Sequence, residues 1–370
     1  MSQPKVLFTA SSYSHLHTFH RPYLQDFRDR GWTVHAACGG GEKPHPEAHR
    51  VIFLPFEKKM SSPANFKAQR QLAQLMAEEG YDLIVTHTSL AAFFTRRAAA
   101  QLRKRPPLVN MAHGYLFDDS TPALKKSLLL TAECFTAQQT DLLLTMNAWD
   151  FRTALQGHLG RRVELIPGIG VDFARLDRVP EDAREALRRR LEITDSDILL
   201  LYAAEFSKRK NQETLIRALS QLPEQVKLAL PGSGALLEDC RTLARKLGVE
   251  QRIRFPGFVT DMPEWYAAAD IAVTSARTEG LPFNVMESMY CGLPVVASRV
   301  KGHTDLVEDG VTGLLYPYGN ADACAAAIRR MAEDPALAAA MGAAGRTAVG
   351  RYGIDAVQPL VMEQYLSVLK

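Results

Sequence analysis

The densest chemistry in this 370-residue chain lies in Glu279-Gly-Leu-Pro-Phe-Asn-Val-Met-Glu287. An apolar strand ends near Thr274, and Gly280 with Pro282 makes a tight turn into a helix that stops at Gly292. The first N–H groups of a helix have no partner within it, so such a turn is a ready anion site. Glu279 stands just before the helix and Glu287 lies on it, with seven residues between them, so both can face one cleft. A carboxylate there repels phosphate, which makes the hydroxyls of a ligand its fitting partner. A carboxylate that merely caps the helix is the plainer reading.

Lys208, Arg209 and Lys210 follow another strand and open a helix. Three cations there can neutralise a diphosphate, or they can form a solvated helix start. His113, in Asn110-Met-Ala-His-Gly-Tyr115, ends a further strand, and His87 ends the strand before it. An imidazole at a sheet edge is either a site residue or a satisfied core histidine. Basic and apolar residues mix at Arg96, Arg97, Arg103, Lys104 and Arg105, and again in Lys125-Lys-Ser-Leu-Leu-Leu130. Such stretches are solvated faces or surfaces for anionic lipid.

The elements that must position these residues alternate strand and helix. Strands read at Lys5–Ser11, Thr33–Cys38, Arg50–Pro55, Leu83–His87, Leu108–Ala112, Leu142–Met146 and Val163–Ile166, with helices between, including one from His17 to Arg30. Past Pro167-Gly-Ile-Gly-Val-Asp172 a second alternation begins, with strands at Ile198–Tyr202, Val226–Leu230, Ile253–Phe255, Ile271–Thr274, Pro294–Ala297 and Gly313–Tyr316. Apolar strands alternating with helices imply parallel sheets covered on both faces. The expected division is a domain over 1–170, a second over 171–350, and a C-terminal helix over 351–370 that packs back on the first. Ligands of such sheets bind at the carboxyl ends of the strands.

Composition fits this plan. Hydrophobic residues make up 46% and charged residues 23%, which excludes disordered and collagen-like chains. Apolar runs fall short of the roughly 18 to 20 residues that span a bilayer. The opening Met1-Ser-Gln-Pro-Lys5 has no signal-peptide pattern. Five cysteines without a CxxC suit a reducing, cytoplasmic setting. The net charge of +3 is uneven: residues 1–170 hold 20 basic and 14 acidic residues, the rest 24 and 27. Nine of the ten histidines also fall in the first 170, so that half is biased toward an anionic partner.

The Glu279–Glu287 segment, followed by Gly292-Leu-Pro-Val-Val-Ala297, resembles the E-x7-E signature of the retaining family 4 glycosyltransferases. The similarity covers almost the whole chain, with Pro231-Gly-Ser-Gly234, Phe255-Pro-Gly-Phe-Val259, Gly302–Gly313 and the linker Gly168–Asp172 falling where that family has equivalents. It implies an α/β GT-B fold: two facing Rossmann-like, doubly wound parallel-sheet domains with an interdomain cleft. It also implies roles. Glu279 would bond the donor sugar, and Glu287 the ribose hydroxyls. Gly280, Leu281, Pro282, Phe283 and Asn284 would approach the diphosphate and sugar, with Gly232, Lys208 and Arg209 in support. Phe258 and Val259 would hold the base. Lys210 would stabilise the leaving diphosphate, and His113 would organise the transferred sugar and the acceptor. Glu205 stands where the family usually has an arginine.

The first strand–helix loop, Ser11-Ser-Tyr-Ser-His15, lacks the family's common Gly-Gly pair. With Phe19-His-Arg-Pro-Tyr23 it resembles a subgroup that builds bacterial capsule, exopolysaccharide or lipid-linked glycan. Ser12, His15 and His87 then fall on the acceptor side. The resemblance implies transfer of a sugar, such as an N-acetylhexosamine, from a UDP-sugar to a lipid-linked saccharide. It implies no cofactor, no metal, no nucleic acid, and a cytoplasmic enzyme peripheral to the inner face of the cell membrane. The same chemistry on a small soluble acceptor, or nucleotide-sugar binding without catalysis, are the alternatives.

Overall fold

A computed structural model describes residues 3–40 and 44–370 of the chain; Met1 and Ser2, at the start of the segment read as lacking a leader, lie outside it. It divides into two compact units, Met1–Gly170 with Asp355–Lys370, and Val171–Ile354.

The first unit runs β1 (Lys5–Ala10), α1 (Tyr13–Phe19), α2 (Arg21–Asp29), β2 (Thr33–Cys38), β3 (Arg50–Phe53), α3 (Pro63–Glu79), β4 (Leu83–His87), α4 (Ser89–Ala99), β5 (Leu108–Ala112), α5 (Ala123–Thr136), β6 (Leu142–Thr145), α6 (Ala148–Gln156) and β7 (Arg162–Leu165). Its strands pair in parallel in the order β3-β2-β1-β4-β5-β6-β7. The order reverses between β1 and β4, which makes their carboxyl ends the place where loops splay apart and ligands fit. Alternate strand residues fill both faces. Leu7, Ile84 and Leu108 pack with Leu72, Leu75 and Ala98 from α3 and α4.

One expectation fails in an informative way. The helix expected over His17–Arg30 is two helices, broken at His20 (φ −120°, ψ 1°). Pro22 has no N–H to give to a carbonyl four residues back, and its ring restricts Arg21. The break leaves His20 fully buried at the turn.

The second unit runs α7 (Ala183–Arg190), β8 (Ile198–Leu201), α8 (Gln212–Leu219), β9 (Val226–Ala229), α9 (Leu237–Lys246), β10 (Ile253–Arg254), α10 (Met262–Ala268), β11 (Ile271–Thr274), α11 (Phe283–Tyr290), β12 (Val295–Ser298), β13 (Gly313–Tyr316), α12 (Ala321–Glu333) and α13 (Pro335–Val349). Its parallel sheet has the order β10-β9-β8-β11-β12-β13, with the reversal between β8 and β11. Leu200, Leu228, Ile216, Leu219 and Ile328 are part of its core.

The last helix, α14 (Ile354–Ser367), belongs almost wholly to the first unit. Its Tyr365 is fully buried, edge-on to Phe8, with its hydroxyl 3.7 Å from Met111 Sδ. Gln358 donates to the Pro22 carbonyl and to Asp26.

Candidate active site

In the second unit the reversal point brings two loops together. The loop after β8 carries Lys208–Asn211, and the loop after β11 carries Ser275–Pro282. Their backbones are tied: Ser275 Oγ donates to the carbonyls of Lys210 and Asn211, and Arg277 N–H donates to the carbonyl of Arg209 at 2.7 Å. The Tyr202 hydroxyl also donates to the Lys210 carbonyl. Lys210 is therefore fixed at its backbone, and its Nζ donates to Glu279 Oε1 at 2.6 Å. Arg209 Nη1 donates to Glu279 Oε2 at 2.8 Å.

Glu279 is buried. Burial pushes its carboxyl up, but the Lys210 and Arg209 charges outweigh this and hold it below the ordinary range. The site is a charged one: a buried carboxylate between two cations, next to the start of α11.

Glycines let the loops close on one another. Gly302 has φ +82°, and a Cβ there would lie 2.8 Å from the Gly280 carbonyl and 2.9 Å from Glu279 Cβ. A Cβ on Gly232 (φ +147°) would lie 2.0 Å from the Ala204 carbonyl. Asn284 Nδ2, in the first turn of α11, donates to the Ala203 carbonyl after β8.

Glu287 sits in a different polar setting. Arg175 donates to its Oε1, and the buried Tyr266 hydroxyl donates to its Oε2 at 2.6 Å. Burial dominates, so its carboxyl is raised despite Arg175 and Tyr266. The two glutamates are thus held by different cations.

In the first unit the reversal point gathers imidazoles. His15 comes from α1, His20 from the α1–α2 break, His87 from the end of β4, and His113 from just past β5. His15 Nε2 lies 3.3 Å from His113 Nε2 and 3.3 Å from His20 Nε2, and His113 Nε2 lies 3.3 Å from His87 Nδ1. His87 stacks between Phe8 and His20. Burial lowers all four, His15 to about 4 and the others well below the ordinary value, so near neutral pH they are uncharged. The Ser12 hydroxyl accepts from His15 N–H and caps α1.

Known proteins match both halves. The profile described as Glycosyltransferase Family 4 matches residues 15–175, and that described as Glycosyl transferases group 1 matches residues 183–348. EpsD of Bacillus subtilis (strain 168), a protein known by a glycosyltransferase name, is 33% identical over 354 residues, covering 94% of this chain and 92% of EpsD.

The chain belongs to the group 1, family 4-like glycosyltransferases.

This glycosyltransferase is also 33% identical over 202 residues to LpsE of Rhizobium meliloti (strain 1021), a lipopolysaccharide core biosynthesis glycosyltransferase, with 54% of each chain covered. Its fold is GT-B, two parallel-sheet Rossmann-like domains. Anabaena HepE, solved with UDP and glucose, superposes with a TM-score of 0.84 at 23% identity over 99% of this chain and all of that one. WaaG, a glycosyltransferase of lipopolysaccharide biosynthesis, superposes at 0.77 with 19% identity, over 97% of this chain and 99% of WaaG.

The glycosyltransferase brings Lys210, Arg209 and Glu279 together, with Gly280 in the same loop. Lys208 and Glu205 are exposed, so Glu205 is not buried at the usual arginine position. Phe258 is exposed after β10, beside Val259. Leu281 and Pro282 lead into α11, where Phe283 is the first residue. Sequence reasoning missed His20, Arg175, Tyr266 and His303. His303 is fully buried, its Nδ1 2.8 Å from the Ser298 carbonyl, and burial lowers its pKa despite the charge of Glu279. It stands beside Gly302 in a segment already noted for its resemblance; Arg175 and Tyr266 carried no local signal.

The basic stretches are mostly spent internally. Arg96 is fully buried and donates to Glu133 at 2.8 Å, and Arg105 pairs with Asp141. Lys126 pairs with Asp119. Lys125, Leu124 and Leu128 on α5 are exposed, as is Phe135. Among the described residues no helix is long and apolar enough to cross a membrane.

Proposed function

We propose that this glycosyltransferase moves a sugar, an N-acetylhexosamine in the first instance, from a UDP-sugar to a lipid-linked saccharide in bacterial surface polysaccharide synthesis, with retention and without a metal in the donor chemistry. The observation that carries the donor side is the clamp of Lys210 and Arg209 on the buried Glu279. Cations fixed at the start of a helix are what a leaving diphosphate needs as charge grows on its bridging oxygen. Lys210 and the α11 amides serve as that stabiliser. Glu279 turns to the sugar hydroxyls, and the cations it releases face phosphate. Glu287 takes the ribose, and Phe258 with Val259 the base. HepE binds UDP and UDP-glucose on the same fold, which supports a uridine donor.

His113, with His15 and His87, serves the acceptor side. Exposed Leu124, Leu128 and Phe135 with Lys125 give α5 an amphipathic face suited to an anionic membrane, where a lipid-linked acceptor resides. LpsE, a lipopolysaccharide core biosynthesis glycosyltransferase, supports a role in surface polysaccharide.

The test is a screen of nucleotide sugars by thermal shift and turnover. A bound donor raises stability by about 2.7 kcal/mol at one hundred times its Kd. The reading holds if one UDP-sugar both stabilises the protein and is turned over onto a lipid-linked saccharide, with the product anomer retained by NMR. Turnover of a GDP-sugar alone, onto a soluble alcohol alone, or with inversion would each overturn the corresponding part.

A further inference from the structure

Four imidazoles at one sheet edge, His20 and His87 fully buried and His15 and His113 partly so, are more than a hydrogen-bonded cluster can satisfy. His15 Nε2 meets two ring nitrogens at 3.3 Å, those of His20 and His113, and His113 Nε2 meets a second, that of His87. A neutral imidazole nitrogen carries either one proton or one lone pair. If His15 Nε2 carries the proton it can donate to one neighbour only. If it carries the lone pair, only one N–H can point straight along it. The contacts cannot all be good hydrogen bonds at once.

A cation among His15, His20 and His113 removes the conflict at His15, because each nitrogen that faces it becomes a lone-pair donor. We propose that His15, His20 and His113 form a three-imidazole site for a zinc-class divalent ion in the first unit. Their ligand atoms all lie within 4.8 Å of one another. With Zn–N bonds of about 2.0–2.1 Å in a tetrahedron, two ligand nitrogens stand about 3.3 Å apart and their ring centres about 5.2 Å. The observed nitrogen separations from His15 are both 3.3 Å. The ring centres of the three pairs lie 4.6, 5.2 and 5.2 Å apart.

The chemistry of the donor set agrees. Imidazole suits zinc, copper and nickel rather than magnesium or calcium. Three protein ligands leave the fourth position of a tetrahedron for water or an anionic oxygen. His15 and His113 are only partly buried, which gives the ion a way in, whereas His20 is fully enclosed.

The site is built by elements far apart in sequence. The Pro22-directed break supplies His20, α1 supplies His15, and the exit of β5 supplies His113. An ion would pin the α1–α2 turn to the sheet edge. On this reading His15 and His113 meet the acceptor side through the ion's open fourth position rather than through a free nitrogen. The proposal does not rest on the donor chemistry, so its failure leaves the roles of Glu279 and Lys210 untouched.

The full chain, stripped with a chelator, is titrated with Zn2+ by calorimetry and with Co2+ by visible absorption. One ion per chain, a rise in Tm on loading, and the intense visible bands of tetrahedral Co2+ are expected. His15→Ala and His113→Ala should each weaken binding by more than about 100-fold, beyond what loss of an outer partner costs. His17→Ala should leave it unchanged, since His17 packs against His45 and Tyr13 instead. Circular dichroism checks each fold, and His15→Gln or His113→Gln replaces the alanine variant at its own position if that variant loses its native spectrum. No stoichiometric zinc, or zinc that survives His15→Ala and His113→Ala, or zinc lost in His17→Ala, overturns the proposal.

Discussion

Lys210 Nζ donates to Glu279 Oε1 at 2.6 Å across 69 positions of sequence, and the carboxylate it meets is buried. The contact joins the two loops that flank the reversal in the second unit's sheet. It also sets a condition on any anionic ligand: at Lys210 the ligand competes with Glu279 for the same ammonium. On the proposed function, the sugar hydroxyls would go to Glu279 and the diphosphate to Lys210.

Glu279→Gln keeps the shape and removes the charge. Transfer should collapse while UDP affinity stays near that of the unaltered protein, because the sugar rather than the nucleotide is the partner. UDP affinity falling in step with turnover would reassign Glu279. Stability gives an independent readout. Since the folded-state carboxyl lies below the ordinary 4.5, ionised Glu279 stabilises the fold above that pH, and the effect is lost as pH falls through the lower folded value. The Tm gap between the two proteins should therefore be widest near neutrality and close as the pH drops below 4.5. A gap that does not narrow in acid would contradict an ionised, paired Glu279.

Lys210→Ala should lower the transfer rate about 10²–10³-fold, the usual size for one donor that stabilises developing negative charge. Steady-state kinetics with the identified donor measure it. An almost normal rate would move the role to Arg209, whose side chain already reaches Glu279.

Gly302→Ala tests the close approach behind Glu279. An alanine at φ +82° costs about 1–2 kcal/mol in backbone conformation, and its Cβ would press on the Gly280 carbonyl and Glu279 Cβ. A lower Tm together with a disproportionate loss of turnover is expected. A fall in Tm with full activity would show that the Glu279 loop can shift without consequence.

The exposed face of α5 makes a prediction about surfaces. Leu124→Ser with Leu128→Ser should weaken sedimentation with anionic vesicles and slow transfer to a long-chain lipid acceptor, leaving a short-chain soluble analogue unaffected. Lys125→Glu should do the same more weakly, since a cation at a membrane surface is worth roughly 1 kcal/mol, and high salt should mimic it. Equal loss on both acceptors would mean a folding defect, and no loss on either would make α5 a solvated face.

By itself the sequence determined the alternation of strands and helices, the break between two sheets, and the loops that carry Glu279, Lys210 and His113. All three are local: side-chain periodicity, Gly and Pro punctuation, and chemistry placed at strand ends are written within about ten residues. What the sequence left open depended on strand order, which no local pattern encodes. Only the tertiary structure set Arg175 against Glu287 across 112 positions, with Tyr266 on its other oxygen. Only it buried Arg96 on Glu133, where the sequence offered a basic surface. And only it turned His20, read as one residue of a continuous helix, into a member of a four-histidine edge. Pro22 was visible throughout, but its effect on function required knowing that β1, β4 and β5 lie side by side, so that the residues at and beyond their ends, with the break after α1, converge.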